Sequence, residues 1–326
     1  MFLRLLRRFL RPYAGLLVAI VVLQTVGTLA SLWLPTLNAA IIDDGLSTGN
    51  IPLIWQLGGI MLAVSLVQVV CTIAAVRCGA QVSMGAGRDI RASLFSRVLS
   101  FSTREMNQFG APTLISRNTN DVQQIQLIVF MGCTLVVTAP ITMAGGVFMA
   151  VREDPVLSWL LVVAVPLMGV CLGALIARMH PIFRQMQTRI DTLNRVLREQ
   201  ITGIRVVRAF TREEFEGNRF DRANALLTDS TTRVGQYMVV MFPLVMLILN
   251  VSSVAVIWFG AIRIDAGQLQ VGQLTAFLSY LAQILMSVMM ATFISIMIPR
   301  AAVCADRITE VLDTSSSLAP PAVPVA

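Results

Sequence analysis

The sequence predicts an all-α membrane protein of six long transmembrane helices, with two helical-hairpin extensions reaching into the cytosol. Three observations carry that prediction. Of 326 residues, 56% are hydrophobic and only 13% charged, about half the ~25% charged content of soluble domains. Six uncharged runs, 12–42, 51–76, 122–151, 155–177, 234–262 and 266–299, each supply the ~20 residues a spanning helix needs. The 25 basic residues, all Arg, are unevenly placed: four precede the first run, six fall in 77–117, eleven in 178–233 and two follow the last run. Only Arg152 and Arg263 lie in the other connections. By the positive-inside rule, both termini and the two long loops are cytoplasmic in a multi-pass inner (plasma) membrane protein. The net charge of +7 is thus a matter of topology, and no basic face with interleaved aromatics points to nucleic acid.

Residues 1–11, MFLRLLRRFLR, put Arg4, Arg7, Arg8 and Arg11 on one helical face and Phe2, Leu6, Phe9 and Leu10 on others. Such a helix lies in the interface beside anionic headgroups of membrane lipids. A signal peptide is the rival reading, but the following apolar run is too long and cleavage would leave an odd number of spans. Pro12 suits the first turn of the first span. Near Ile42 that span gives way to a short turn containing Asp43, Asp44, Gly45, Ser47, Gly49, Asn50 and Pro52. From Leu53 to about Ser102 the periodicity is helical and no proline intervenes. About fifty residues at 1.5 Å each make roughly 75 Å against a ~30 Å hydrocarbon core, so roughly 40 Å should stand in the cytosol. Gly79, Gly85 and Gly87 weigh against a continuous helix, each costing ~1 kcal/mol in its interior.

At the far end, in 101–126, Gly110 and Pro112 are expected to stop one helix and Thr113 to cap a short one. Asp121 should stand near the start of the next long helix, where a carboxylate complements the dipole. The third and fourth spans carry Pro140, Gly145 and Gly146, then Pro166, Gly169 and Gly173, small residues that allow close helix approach. Between the fourth and fifth spans, Leu193, Val196, Leu197 and Ile201 form an amphipathic stripe. A break is expected at Gly203. Ile204, Val206, Val207, Ala209 and Phe210 follow among Arg205, Arg208 and Arg212, and Glu213, Glu214 and Glu216 open a returning helix. A helix, a short docking element with an exposed aromatic and a returning helix suit a surface that pushes on another protein.

The fifth and sixth spans hold Asn250, Ser252 and Ser253, then Ser279, Gln283 and Ser287. Polar groups at that depth face the bundle or a wet cavity. Seven of the 17 Met, including Met246, Met286 and Met290, lie in this pair. Flexible thioethers suit a cavity accepting varied apolar ligands, and equally suit plain core packing. Asn250, Gln283, Ser287, Met246, Met286 and Met290 are the candidate cavity residues. Past Pro299, residues 300–313 keep a helical period, and 314–326 read as a Ser/Pro/Ala linker. Cys71, Cys78, Cys133, Cys171 and Cys304 lack metal or redox spacing and read as packing residues. His180, beside Pro181, has no ligand cluster near it. With no Lys in the chain, a phosphate-cradling glycine loop ending in Lys is excluded, and no triad, carboxylate pair or metal cluster stands out.

Asp191, Leu193, Asn194, Arg198, Glu199, Gly203, Arg205, Val206, Val207, Arg208, Ala209, Phe210, Glu213, Phe215 and Phe220 resemble, in order and register, the second intracellular loop of exporter-type ABC transporter membrane domains. Phe109, Gly110, Thr113, Leu114, Ser116, Arg117, Thr119, Asn120 and Asp121 are similar to that family's first coupling loop, and Ala305, Arg307, Ile308, Glu310, Val311, Leu312 and Asp313 to the segment after its sixth span. The resemblance covers 1–313. It implies an elbow helix at 1–11, a transmembrane domain at 12–313, and a linker at 314–326 leading towards a nucleotide-binding domain on the same or a separate chain. It implies that Pro112, Thr113, Leu114, Arg117, Asp121, Arg205, Val206, Arg208, Phe210 and Glu214 couple to nucleotide-binding domains through short coupling helices. ATP and Mg2+ would sit on those domains, not on this chain. A second transporter half, identical or different, would complete the path, and the wording TLISRNTND resembles heterodimeric members. The implied function is ATP-driven alternating access moving an amphipathic or lipophilic substrate outward. An importer on the same fold, as for siderophores, and an ATP-independent channel or scaffold are the alternatives.

Overall fold

The computed structural model describes residues 1–317, so most of the 314–326 linker lies outside the described residues. Among the described residues the chain is helical with no strand. A short amphipathic helix α1 (Phe2–Leu10) passes through a 3₁₀ turn (Arg11–Tyr13) containing Pro12 into α2 (Ala14–Ala40). Then come α3 (Ile51–Leu99), α4 (Thr103–Phe109), α5 (Ala111–Ser116), α6 (Val122–Met131), α7 (Val137–Glu153), α8 (Trp159–Ala209), α9 (Glu213–Asp265) and α10 (Val271–Asp313). π-helical turns at Arg117–Asp121 and Gly132–Val136 keep neighbouring helices continuous, and a third at Ile41–Leu46 prolongs α2. Six runs are long and apolar enough to cross a membrane: Phe2–Leu46, Ile51–Leu99, Ala111–Glu153, Trp159–Ala209, Glu213–Asp265 and Val271–Asp313.

Two compact units emerge, one of Met1–Leu161 with the described residues from Val256 onward, the other Val162–Ala255. The second unit is a hairpin of two helical stretches, with Val196, Val234 and Val245 buried. In the first unit, α3 is unbroken over 49 residues, and its glycines are the reason its neighbours come close. A Cβ at Gly85 would overlap the Tyr13 ring, and one at Gly87 the Gln126 side chain. Gln126 is held there by Arg91 Nη1 (3.1 Å to Oε1) and by Ser83 Oγ, which donates to its carbonyl at 2.6 Å. The core at the arginine-rich side joins Leu5 and Phe9 of α1, Ile90 and Leu94 of α3, Phe109, Leu114, Ile125, and Ala305, Ile308 and Val311 of α10. Residues 300–313, expected to keep a helical period, form the end of α10 and pack into the unit.

At the arginine-poor side the turn polar groups are used internally. Asp43 accepts from the backbone N–H of Gly272 (2.7 Å) and Gln273 (3.1 Å), capping α10 from another segment. The buried Tyr280 hydroxyl donates to the Leu32 carbonyl (2.8 Å), and Thr36 donates to Glu153 (2.9 Å). Trp33, Trp55, Trp159 and Trp258 are all exposed and all lie towards the arginine-poor connections, which is where an aromatic interface belt would sit. Backbone approach is closest at Gly272, where a Cβ would overlap the Ala39 carbonyl and the Asp43 carboxylate. Gly272→Ala should thus lower stability by about 2 kcal/mol through overpacking. Gly58→Ala, where a Cβ meets open space, should leave it unchanged or raise it. Thermal unfolding in detergent measures both.

Candidate functional site

The first arginine-rich loop is built from two short helices and a bulge. Ser102 caps α4, its Oγ accepting from Arg104 N (3.2 Å) while its backbone N–H donates to Glu105 Oε2 (2.7 Å), a reciprocal capping box. The Ser102 hydroxyl also donates to Glu105, and this hydrogen bonding pulls the Glu105 carboxyl down to about 2. Phe109 stacks on Phe101 with centroids 5.8 Å apart. Gly110 then takes φ 74°, a left-handed turn open to glycine, and α5 begins at once.

Two expectations are corrected here. One helix does stop at Gly110, the C-cap of α4, but Pro112 sits in the first turn of α5, where its missing N–H costs nothing. Thr113 is not the cap, because Gly110 holds that position. Asp121 stands at the start of α6, as its N-cap, where it closes the π turn Arg117–Asp121 and is buried.

Arg117 explains the bulge. Its Nη1 donates to the Arg307 carbonyl (2.8 Å) and to Glu310 Oε2 (2.7 Å), and its guanidinium lies 5.0 Å from the Phe109 ring centroid. With a side chain only 12% exposed, it fastens the loop to the end of α10. Arg97 Nε adds a bond to the Leu312 carbonyl (3.1 Å), and Ser102 Oγ lies 2.7 Å from Ser317 Oγ. Arg117 Nε, Asn118 Oδ1 and Asp121 Oδ2 are buried without a hydrogen-bond partner, an unsatisfied cluster at a π-bulge of the kind that often marks a functional position. Leu114 is also buried. The surface the loop offers is Pro112, Thr113 and Ile115. Ile115, 64% exposed, was not anticipated, although an isoleucine after two loop candidates is a readable signal.

The second loop is the tip of the Val162–Ala255 unit. Gly203 is not a break, since α8 runs through it to Ala209. The chain reverses at Phe210 to Arg212: Arg212 N donates to the Val207 carbonyl (3.0 Å), Thr211 N to Arg208 O (3.2 Å), and Thr211 takes φ 51°. This closes the helix as a glycine ordinarily would, at a β-branched residue for which that conformation is uncommon. α9 opens with Glu213, Glu214 and Glu216, carboxylates suited to a helix N-terminus. Arg219 binds Glu199 and Glu216, and Gln200 Nε2 donates to the Glu216 carbonyl (2.8 Å), bolting the two helices together behind the tip. The short separate helix that the resemblance implies does not form at this tip; α8 runs on to Ala209 instead. Arg205, Val206, Arg208, Phe210 and Glu214 are all exposed, with Phe210 at 73%. Ile201, read as part of an inward stripe, is exposed too, as are Ile204 and Phe215. They widen an apolar patch rimmed by charge.

The cavity candidates fall on two helix faces. On α10, Gln283, Met286, Ser287 and Met290 share one face by their spacing. Ser287 is buried and donates to Ile284 O at 2.7 Å, Gln283 and Met286 are half-buried and Met290 is exposed. On α9, Met246 is half-buried and Asn250 exposed. A separate apolar recess of about 580 Å3 in the first unit is lined by Trp33, Val64, Val67, Phe148 and Met149, among others. Among the described residues no group of three His, Cys, Asp or Glu could hold a metal.

Fold and loops together define a polytopic helical membrane domain with two elaborated arginine-rich hairpin ends. The chain belongs to the family described as the ABC transporter transmembrane region, whose sequence profile matches residues 17–288. It is 51% identical over 321 residues to the "Uncharacterized ABC transporter ATP-binding protein Rv1273c" of Mycobacterium tuberculosis (strain ATCC 25618 / H37Rv), covering 98% of this chain and 55% of that protein. It is 30% identical over 306 residues to the "Uncharacterized ABC transporter ATP-binding protein YfiB" of Bacillus subtilis (strain 168), covering 94% of this chain and 53% of that one. The chain thus spans about half the length of the curated relatives it matches.

Proposed function

We propose that this chain is the membrane half of an ATP-driven transporter that exports an amphipathic or lipophilic substrate, drug or lipid, by alternating access. Both termini and both long loops lie in the cytosol on this reading, supported by the 23 arginines on that side and the tryptophans towards the other. ATP and Mg2+ are bound by nucleotide-binding domains, consistent with the longer relatives named as ATP-binding proteins. A second half, identical or different, completes the path, and Asn250, Gln283, Ser287, Met246, Met286 and Met290 line it.

The observation that carries the proposal is the second loop's tip. An exposed Phe210 with Val206 and Ile204, rimmed by Arg205, Arg208 and Glu214, has the aromatic anchor and polar rim of a docking surface. The first loop contributes Pro112 and Thr113 outside, with Leu114 and Asp121 positioning them from within. Arg117 carries motion between that loop and the end of α10.

Inverted vesicles containing the full-length transporter test the proposal. ATP-dependent accumulation of a lipophilic fluorescent cation inside them supports export. ATP-dependent depletion indicates import, and flux unaffected by ATP a channel.

A further inference from the structure

On α3, Ser93, Ser96 and Arg97, with Ser100 at its C-cap, follow the i, i+3, i+4, i+7 spacing of a single helix face. Arg8 of α1 faces them across a recess of about 590 Å3, closed on a third side by Leu312 of α10. Arg97 uses its Nε on the Leu312 carbonyl, which leaves the outer nitrogens of its fork for another acceptor. The Arg8 guanidinium lies 5.5 Å from the Phe9 ring centroid. Among the described residues, neither guanidinium has a carboxylate within 4 Å, in contrast to the paired Arg88, Arg117, Arg219, Arg233 and Arg263. Ser100 Oγ already donates to the Arg97 carbonyl (2.7 Å), so two guanidinium groups without a carboxylate partner and the hydroxyls of Ser93 and Ser96 make a donor-rich recess. Its complement is an oxyanion with several acceptor oxygens.

We infer that this junction of α1, α3 and α10 is a binding site for a phosphate group. The guanidinium forks take the anionic oxygens and the hydroxyls of Ser93 and Ser96 donate to the remaining ones. A lipid headgroup and free phosphate share that chemistry. The headgroup is favoured by α1 itself, since its Phe2, Leu6 and Leu10 line a wholly apolar recess of about 350 Å3 together with residues of the spanning helices. Occupancy bridges α1 to α3 and, through Arg97, to the Leu312 carbonyl. A phosphate there restrains the end of α10 from which the chain continues.

The test is native mass spectrometry of the purified full-length protein titrated with phosphatidylglycerol or phosphatidylcholine, with inorganic phosphate as competitor. Phosphatidylglycerol should be retained in preference to phosphatidylcholine. Arg8→Gln should weaken it about tenfold, the loss of one charge-assisted hydrogen bond to the phosphate. Arg4→Gln changes the same helix by the same charge outside the recess, and should leave retention unchanged. Ser96→Ala supplies a second site variant that touches no packing. Displacement by inorganic phosphate assigns the free anion as the natural source, and resistance assigns the headgroup. Equal losses from Arg4→Gln and Arg8→Gln, or equal retention of both lipids together with no phosphate binding, would overturn the site.

Discussion

Phe210→Ala is expected to leave the protein folded and membrane-inserted while cutting substrate-stimulated ATP hydrolysis and flux by about 30-fold. The magnitude follows from the ~2 kcal/mol or more that an aromatic anchor contributes at a protein interface. The fold should tolerate the change because Phe210 is 73% exposed and the reversal is made by backbone bonds from Thr211 and Arg212. The Arg219, Glu199 and Glu216 cluster holds the helices together whether or not the ring is present. Arg208→Ala removes a rim charge from the same tip and should cost several-fold less, with a stronger dependence on salt. Reconstituted ATPase and flux assays, paired with a melting curve, separate the two effects. A melting midpoint unchanged and flux unchanged in Phe210→Ala would remove this tip from the contact with a nucleotide-binding domain.

The spans, the long second helix and the exposed second tip were legible in the sequence because each is a local property. Hydropathy reports spans, an absence of proline reports continuity, and arginines flanking an aromatic report exposure. Legibility ended where a long-range partner decides the geometry. Gly203 reads as a break because glycine disfavours helix, yet one residue at ~1 kcal/mol does not interrupt a 51-residue helix. The π turn at Arg117–Asp121 has no local signature, since it accompanies the reach of Arg117 to Arg307 and Glu310, about 190 residues away in sequence. That same reach makes Arg117 an internal fastener, a contact that the resemblance naming it a coupling residue does not reveal. Gly85 and Gly87 look like defects until Tyr13 and Gln126 are seen against them. One feature was readable and passed over: Ser102 followed three residues later by Glu105 is a helix-start signature, and it sets where α4 begins.

Asp154→Ala is expected to be the most destabilising single change in the arginine-poor turns, at about 3–5 kcal/mol. Asp154 is only 3% exposed, and its two carboxylate oxygens serve different purposes. Oδ1 accepts from the backbone N–H groups of Val156 (2.7 Å) and Leu157 (3.0 Å), forming the turn that leads into α8. Oδ2 accepts from Arg263 Nε at 2.9 Å, so this turn is tied to the end of α9. Alanine orphans two backbone donors and strips a partly buried guanidinium of its counter-ion. Asp154→Asn retains one acceptor for the turn but presents the guanidinium with a neutral amide, and should cost roughly half as much. The double variant Asp154→Asn/Arg263→Gln should recover part of that loss, with a coupling of about 1–3 kcal/mol, because the deserted cation is removed as well. Arg263 is one of just two arginines in the arginine-poor connections, against 23 elsewhere, so by number it offers little opposition to the arginine bias that orients the spans. Denaturant titrations of the four proteins of the cycle measure the coupling, and additive losses would show that the turn and the ion pair act independently.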